Sequence, residues 1–191
     1  SWDPENAHRM GAAIGEECRC YGVHTLLGPG VNIKRNPLCG RNFEYYSEDP
    51  LLAGMMASAM TLGVQSVPGC GTTIKHYACN NQEDNRMGSD SILSERTLRE
   101  IYLKGFEIAI CNAQPMAMMT SYNLINGVHA ANSYDICTKA ARDEWGFEGV
   151  VMTDWWTFGE HCKEVNAGND VKMAAGNPDN LLKALEKGLL K

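Results

Sequence analysis

The sequence predicts an α/β fold, a mostly parallel sheet under covering helices. Three observations predict it. Short apolar runs alternate with longer amphipathic stretches along the whole chain, the pattern of strand–helix–strand units. No pair of runs is joined by a hairpin signal, so the strands are expected to run parallel. The runs that read as strands end in polar residues, namely Lys75-His76, Ser121-Tyr122 and Thr153-Asp154. The 191 residues suffice for one domain with a hydrophobic core, and no composition shift marks an internal boundary.

Taken in order, Asp3 and Pro4 supply a helix cap and first-turn residue. Met10, Ile14 and Cys18 repeat at helical spacing up to Gly22. VHTLL (23–27) reads as a short strand, followed by a long polar loop, GPGVNIKRNPLCGRNFEYYSED. Pro50 opens a helix that runs through Leu62. TTIKHY (72–77) is a strand, and CNNQEDNRMGSDS a second polar loop. Ser94 caps a helix with Leu98, Ile101, Phe106 and Ile108 on a broad apolar side. MAMMTSY (116–122) is a strand, SYDICTKAARDEWG (133–146) a helix closed by Gly146, and GVVMTD (149–154) a strand. Residues 171–173 are expected as a last short strand, and Leu181, Leu182 and Leu185 mark a final helix.

Composition narrows the function classes. A net charge of −6 disfavours a nucleic-acid partner, which requires clustered Lys and Arg. No apolar run approaches membrane-spanning length, and no signal peptide is visible. The chain opens SWDPEN without an initiator methionine, so it is read as either a mature product or a fragment. Eight cysteines never form CxxC, and several, such as Cys111 and Cys137, sit among apolar neighbours. They read as free buried thiols rather than zinc ligands or disulfides. That usage fits a reducing cytoplasm or an anaerobic source.

The strand ends separate two architectures. A (β/α) barrel distributes catalytic groups over the carboxyl ends of several strands. A doubly wound sheet concentrates them at one switch point, often with a glycine-rich turn. CGRN, GCGT and LGPG complete neither G-x-G-x-x-G nor a P-loop, so the barrel-like reading leads. Asp154, after Val150-Val151-Met152, is a pocket carboxylate or a helix cap. Trp155 and Trp156 favour the pocket, since aromatic faces stack on sugar rings, although either could fill core. Lys75-His76 form a solvated strand end or a pair of donors for a polyol or anion, their side chains on opposite faces or fanned around the end. Lys75 could also serve as a Schiff-base amine. Arg41 is either a bidentate fork for vicinal hydroxyls or an ion-pair partner of Glu44, Glu48 or Asp49. Arg86 carries the same ambiguity, and Tyr122 reads equally as a packed strand residue. His8, His24, His129 and His161 show no metal spacing.

Five segments then carry a resemblance: LLGPGVNIKRNPLCGRNFEYYSEDP, IKHYACNNQEDNR, MTSYNLINGVHA, DEWGFEGVVMTDWW and AGNDVKM. In this order, over nearly the whole chain, they resemble glycoside hydrolase family 3, the β-glucosidase and β-xylosidase group. The resemblance implies a partial (β/α)8, TIM-like barrel, with residues 1–191 forming one truncated domain from the centre of the catalytic barrel. It implies that Asp154 is the catalytic nucleophile and that Arg41, Lys75, His76, Arg86 and Tyr122 bind the sugar, with Trp155 walling the site. Arg41, Lys75 and Arg86 are expected to keep Asp154 ionised. The implied reaction is retaining hydrolysis, most readily of a β-glucoside or cello-oligosaccharide, without metal or organic cofactor. The second carboxyl group lies roughly 5–5.5 Å from the nucleophile in such enzymes and is expected outside this chain, as is a further sugar-binding aspartate. KHYACNNQED differs from the K-H-F-P-G-H-G loop of the N-acetylglucosaminidase branch. The truncated barrel is expected either to have its open edges covered by a neighbouring chain, such as a second copy, or to be poorly soluble.

Overall fold

The first helix shows how the chain builds its layers. In the computed structural model, which describes residues 2–190, α1 spans Pro4–Tyr21. The Asp3 side chain caps it by accepting from the Glu5 N–H, and Gly22 ends it with a left-handed φ of 69°. Its buried face carries Ala7, Gly11, Gly15 and Cys18, whereas Met10 is exposed. Of the expected stripe, Cys18 is buried and Ile14 packs beside it, but Met10 is replaced by the small residues Ala7, Gly11 and Gly15. The reason is close approach to α2 (Pro50–Gln65): a Cβ at Gly63 would stand 2.1 Å from the His8 carbonyl oxygen.

Between these helices lies β1 (Thr25–Leu26), and β2 (Gly71–Tyr77) follows α2. The chain continues through β3 (Asp90–Ser91), α3 (Glu95–Thr97), a wide-turned helical segment Leu98–Tyr102, and α4 (Lys104–Ala113). Then come β4 (Ala117–Thr120), β5 (Leu124–Ile125), β6 (Val128–His129) and a second wide-turned helix, Asp135–Glu144. The last elements are β7 (Val150–Met152), α5 (His161–Ala167) and α6 (Pro178–Glu186). Strands β1-β2-β4-β7 form one parallel four-stranded sheet. Ile74 stands opposite Met118, and Met118 opposite Val151. All three are fully buried, in one core with Tyr77, Phe106, Ile110 and Cys137. The Tyr77 ring meets Phe106 edge-on, and its hydroxyl donates to the Ile136 carbonyl at 3.0 Å. The sheet is open: the parallel α/β expectation holds as part of a barrel, with no closed barrel formed.

Four expectations need correction. Strands β5 and β6 are antiparallel, joined through Asn126 (φ 49°) and Gly127 (φ 82°). The missed signal was the Asn-Gly dipeptide, whose residues tolerate the positive φ of a tight hairpin turn. Residues 171–173 form no strand, only a bridge from Val171 to Met152. Ile101 is exposed, because the i→i+5 turns of Leu98–Tyr102 rotate it off the face that buries Phe106. Cys111 is exposed on α4, whereas Cys18, Cys70, Cys79, Cys137 and Cys162 are buried, and all eight thiols are free. Helix α5 was not anticipated.

Candidate active site

The site lies at the carboxyl ends of the parallel strands. Strand β7 carries Asp154 there. The Val151 N–H donates to Asp170 Oδ2 at 2.8 Å, and the Arg142 guanidinium holds that carboxylate at 2.7 Å. Past Met152 the chain leaves the ladder. The Thr153 N–H donates to the Val171 carbonyl (2.9 Å), and its hydroxyl accepts from the Met173 N–H (3.0 Å). Asp154 then projects into the molecule with 6% of its surface exposed, and Oδ1 accepts from the Trp155 N–H at 2.7 Å. Trp156 follows with φ 53°, a backbone that costs a non-glycine residue on the order of 1 kcal/mol. The two indoles meet edge-on at 5.3 Å.

Strand β2 brings two groups. Its register against β4 shifts between Lys75 and Tyr77, so His76 is the extra residue of a bulge, and its peptide bond to Lys75 is cis. A bulge re-aims side chains, and Lys75 and His76 both line one cavity, the fanned arrangement of the two that the sequence allows. Lys75 Nζ lies 3.5 Å from Glu44 Oε2, while Glu44 Oε1 accepts from Arg41 Nε. His76 is buried. Its backbone N–H donates to Asn32 Oδ1 (2.7 Å), its carbonyl accepts from Asn32 Nδ2 (2.8 Å), and its Nε2 lies 3.9 Å from Asp154 Oδ2. The loop after β2 supplies Arg86, whose Nη1 donates to Glu83 Oε2 at 2.8 Å. The Arg86 guanidinium sits 4.8 Å above the Tyr122 ring, a cation–π contact.

Asp154, Arg41, Lys75, His76, Arg86, Tyr122 and Trp155 thus line one cavity of about 400 Å³, closed by Leu27, Met119 and Trp156. The candidate nucleophile and the six candidate sugar-binding residues are brought together, whereas Ser121 and Thr153 at the strand ends lie outside the lining. Asp154 is the only carboxylate in this lining among the described residues. A larger hollow of about 660 Å³ between residues 35–37 and 79–93 contains none of these groups. Its arginine, Arg35, is bonded to the Tyr102 hydroxyl at 2.6 Å.

Arg41 and Arg86 favour the charged form of Asp154 as expected, but burial outweighs them. Burial pushes the Asp154 carboxyl above its ordinary value, and the Trp155 N–H, the Tyr122 hydroxyl and the charges of Arg41 and Arg86 offset this only in part. Loss of hydration outweighs cations whose charge is already shared with Glu44 and Glu83. Burial, and then the Asp154 charge, push the Tyr122 hydroxyl up to about 12. Burial and the charges of Arg41, Lys75 and Arg86 hold His76 well below its ordinary value, which favours the neutral ring. Sequence reasoning missed Asn32, Tyr45, Asn80 and Glu83, which hold the lining residues from behind. Glu83 stands three residues before Arg86, as Glu44 stands three after Arg41, and that spacing was legible. Tyr45 and Asn32 act across long sequence separations and left no local signal.

The site is thus a cavity with one buried carboxylate among cationic, imidazole and aromatic side chains, on a parallel α/β scaffold. The description Glycosyl hydrolase family 3 N terminal domain matches residues 1–190, and the chain belongs to this family. It is 53% identical over 191 residues to beta-glucosidase A of Butyrivibrio fibrisolvens, covering all of this chain and 23% of that protein. It is 49% identical to the exo-alpha-(1->6)-L-arabinopyranosidase of Bifidobacterium longum, covering all of this chain and 25% of that one. Beta-glucosidase 3B of Thermotoga neapolitana in complex with glucose superposes with a TM-score of 0.95 at 48% identity, over all of this chain and 28% of that one. The chain spans about a quarter of the length of the curated relatives it matches.

Proposed function

We propose that this chain supplies the nucleophile and most of the sugar-binding groups of a retaining β-glycosidase acting on terminal β-D-glucosyl residues. The observation that supports it best is the convergence of Arg41, Lys75, His76, Arg86, Tyr122 and Trp155 on one cavity with a single buried carboxylate, Asp154. The relatives named beta-glucosidase support glucose as the sugar. In this reading Asp154 attacks the anomeric carbon as the leaving oxygen departs, and a glycosyl ester forms. Water then opens the ester and restores the original configuration. The cations and His76 donate to ring hydroxyls, and Trp155 offers an aromatic face. Among the described residues Asp154 is the one carboxylate in the cavity lining, which supports its assignment as the nucleophile. The outer edge of β1 would be covered by further strands or by a second copy, and size-exclusion chromatography reads the latter.

The test is a 2-fluoro aryl β-glucoside followed by intact mass. Wild type should gain one glycosyl mass and Asp154→Asn none; equal labelling of both removes Asp154 from the mechanism. The single lining carboxylate also supports a second reading, a non-catalytic sugar-binding piece, which predicts glucose binding with no adduct. Because one relative is named an arabinopyranosidase, aryl α-L-arabinopyranoside belongs in the same assay. A preference for it would replace glucose as the sugar.

A further inference from the structure

Behind the cavity, four buried side chains form a linear run of polar contacts, Asn32–His76–Tyr45–Asn80. Asn32, Tyr45, His76 and Asn80 are each no more than 3% exposed. Asn80 Nδ2 donates to Glu83 Oε1 at 3.0 Å and to Tyr45 Oη at 3.1 Å. Glu83 is the Arg86 ion-pair partner, and a carboxylate only accepts. The Asn80 atom that faces Glu83 must therefore be its nitrogen, and this removes the usual ambiguity of amide orientation. The same nitrogen faces Tyr45, so the tyrosine oxygen accepts. Its own proton is then free for His76 Nδ1, which lies 3.3 Å away.

We propose that Tyr45, oriented by Asn80, sets the tautomer of His76, so that the ring accepts at Nδ1 and carries its proton on Nε2, facing Asp154. The competing acceptor is Asn32 Oδ1, which lies farther from Nδ1, at 3.4 Å, and shares its lone pairs with the His76 backbone N–H at 2.7 Å. In a neutral imidazole the two nitrogens have opposite roles. The tautomer therefore decides what the cavity offers. An Nε2–H gives a neutral donor 3.9 Å from Asp154 Oδ2, too far to bond directly and close enough for one ligand hydroxyl to touch both. The opposite tautomer would turn a lone pair toward the carboxylate. Tyr45 is a positioning residue, since it acts through His76. The proposed sugar-binding role of His76 rests on the functional reading above; the tautomer itself is independent of it.

The experiment is a two-bond ¹H–¹⁵N correlation spectrum of the ¹⁵N-histidine-labelled protein at neutral pH, with His76→Gln to assign the ring. Wild type is expected to show a pyrrole-type Nε2 and a pyridine-type Nδ1 for His76. Tyr45→Phe, which keeps the packed ring, should move the signal toward the Nδ1–H form or a mixture. It should also weaken glucose binding on the order of tenfold, the loss of about one hydrogen bond. A wild-type spectrum with the proton on Nδ1 overturns the proposal, as does a Tyr45→Phe spectrum identical to wild type. Neither outcome depends on glycosidase activity, so failure of fluoroglycoside labelling leaves this result standing.

Discussion

Asp154 and Glu164 are two buried carboxylates near the same end of the sheet, with opposite surroundings. Glu164, 1% exposed, has every need met. Lys172 Nζ donates to Oε2 at 2.5 Å, the Thr157 hydroxyl donates to Oε1 at 2.5 Å, and Lys172 also donates to that hydroxyl at 2.9 Å. The triangle ties α5 to the segments 157 and 172 that flank the tryptophan turn. Asp154 has no cation in bonding contact. It accepts from the next peptide N–H and lies beside Tyr122, and Oδ2 faces His76 across 3.9 Å. A carboxylate whose acceptors are all used holds structure together. One left short of partners keeps its oxygens for something that enters the cavity.

The comparison breaks most visibly through Asp154→Asn. Aryl β-glucosidase activity of the protein with its acid/base group should fall by on the order of 10⁴–10⁶-fold, with no loss of folding stability. An activity within tenfold of wild type would make Asp154 another structural carboxylate. Lys172→Met should do the reverse. It leaves Glu164 buried without its cation and should cost about 3–5 kcal/mol in urea unfolding. Combining it with Glu164→Leu should recover most of that loss, because removing both charges removes the uncompensated one. A single variant as stable as wild type would show that Lys172 does not hold the turn. Thr157→Val is the smaller probe of the same triangle and should cost about 1 kcal/mol.

The smallest expected effects are slopes of stability against pH, and their signs oppose each other. Asp154 has a folded pKa above its unfolded 3.8, so the folded state holds its proton more tightly. Its contribution is most favourable below 3.8 and is lost as pH rises through the folded value. His76 has a folded pKa below 6.5. Its contribution is full above 6.5 and is lost as pH falls from there through the folded value. Melting temperatures across acid pH should therefore lose the His76 slope in His76→Gln and the Asp154 slope in Asp154→Asn. The asparagine variant should be at least as stable as wild type at neutral pH. Unchanged profiles in both variants would mean that burial does not govern these groups.

The strand ends were the most legible part of this chain. Apolar runs closing on Lys75-His76, Ser121-Tyr122 and Thr153-Asp154 announced both a parallel sheet and the end of it where the polar cavity opens. The hairpin at Asn126-Gly127 was equally legible, since an Asn-Gly pair tolerates the positive φ of a tight turn. Other features had no local signal. The small-residue face of α1 answers to Gly63 of another helix, and the wide turns at Leu98–Tyr102 shift a periodicity that the residues themselves do not reveal.

By itself, the sequence determined the parallel α/β order, the family, and the identity of the groups around the cavity. Those properties follow from side-chain type, spacing and strand polarity, which are local. Only the tertiary structure decided that Lys75 and His76 share a face, that Glu44 and Glu83 take up part of the cationic charge, and that Asp154 is pushed up in pKa rather than down. Such outcomes depend on how much water each group loses and which distant partner replaces it, and burial is a property of the assembled fold.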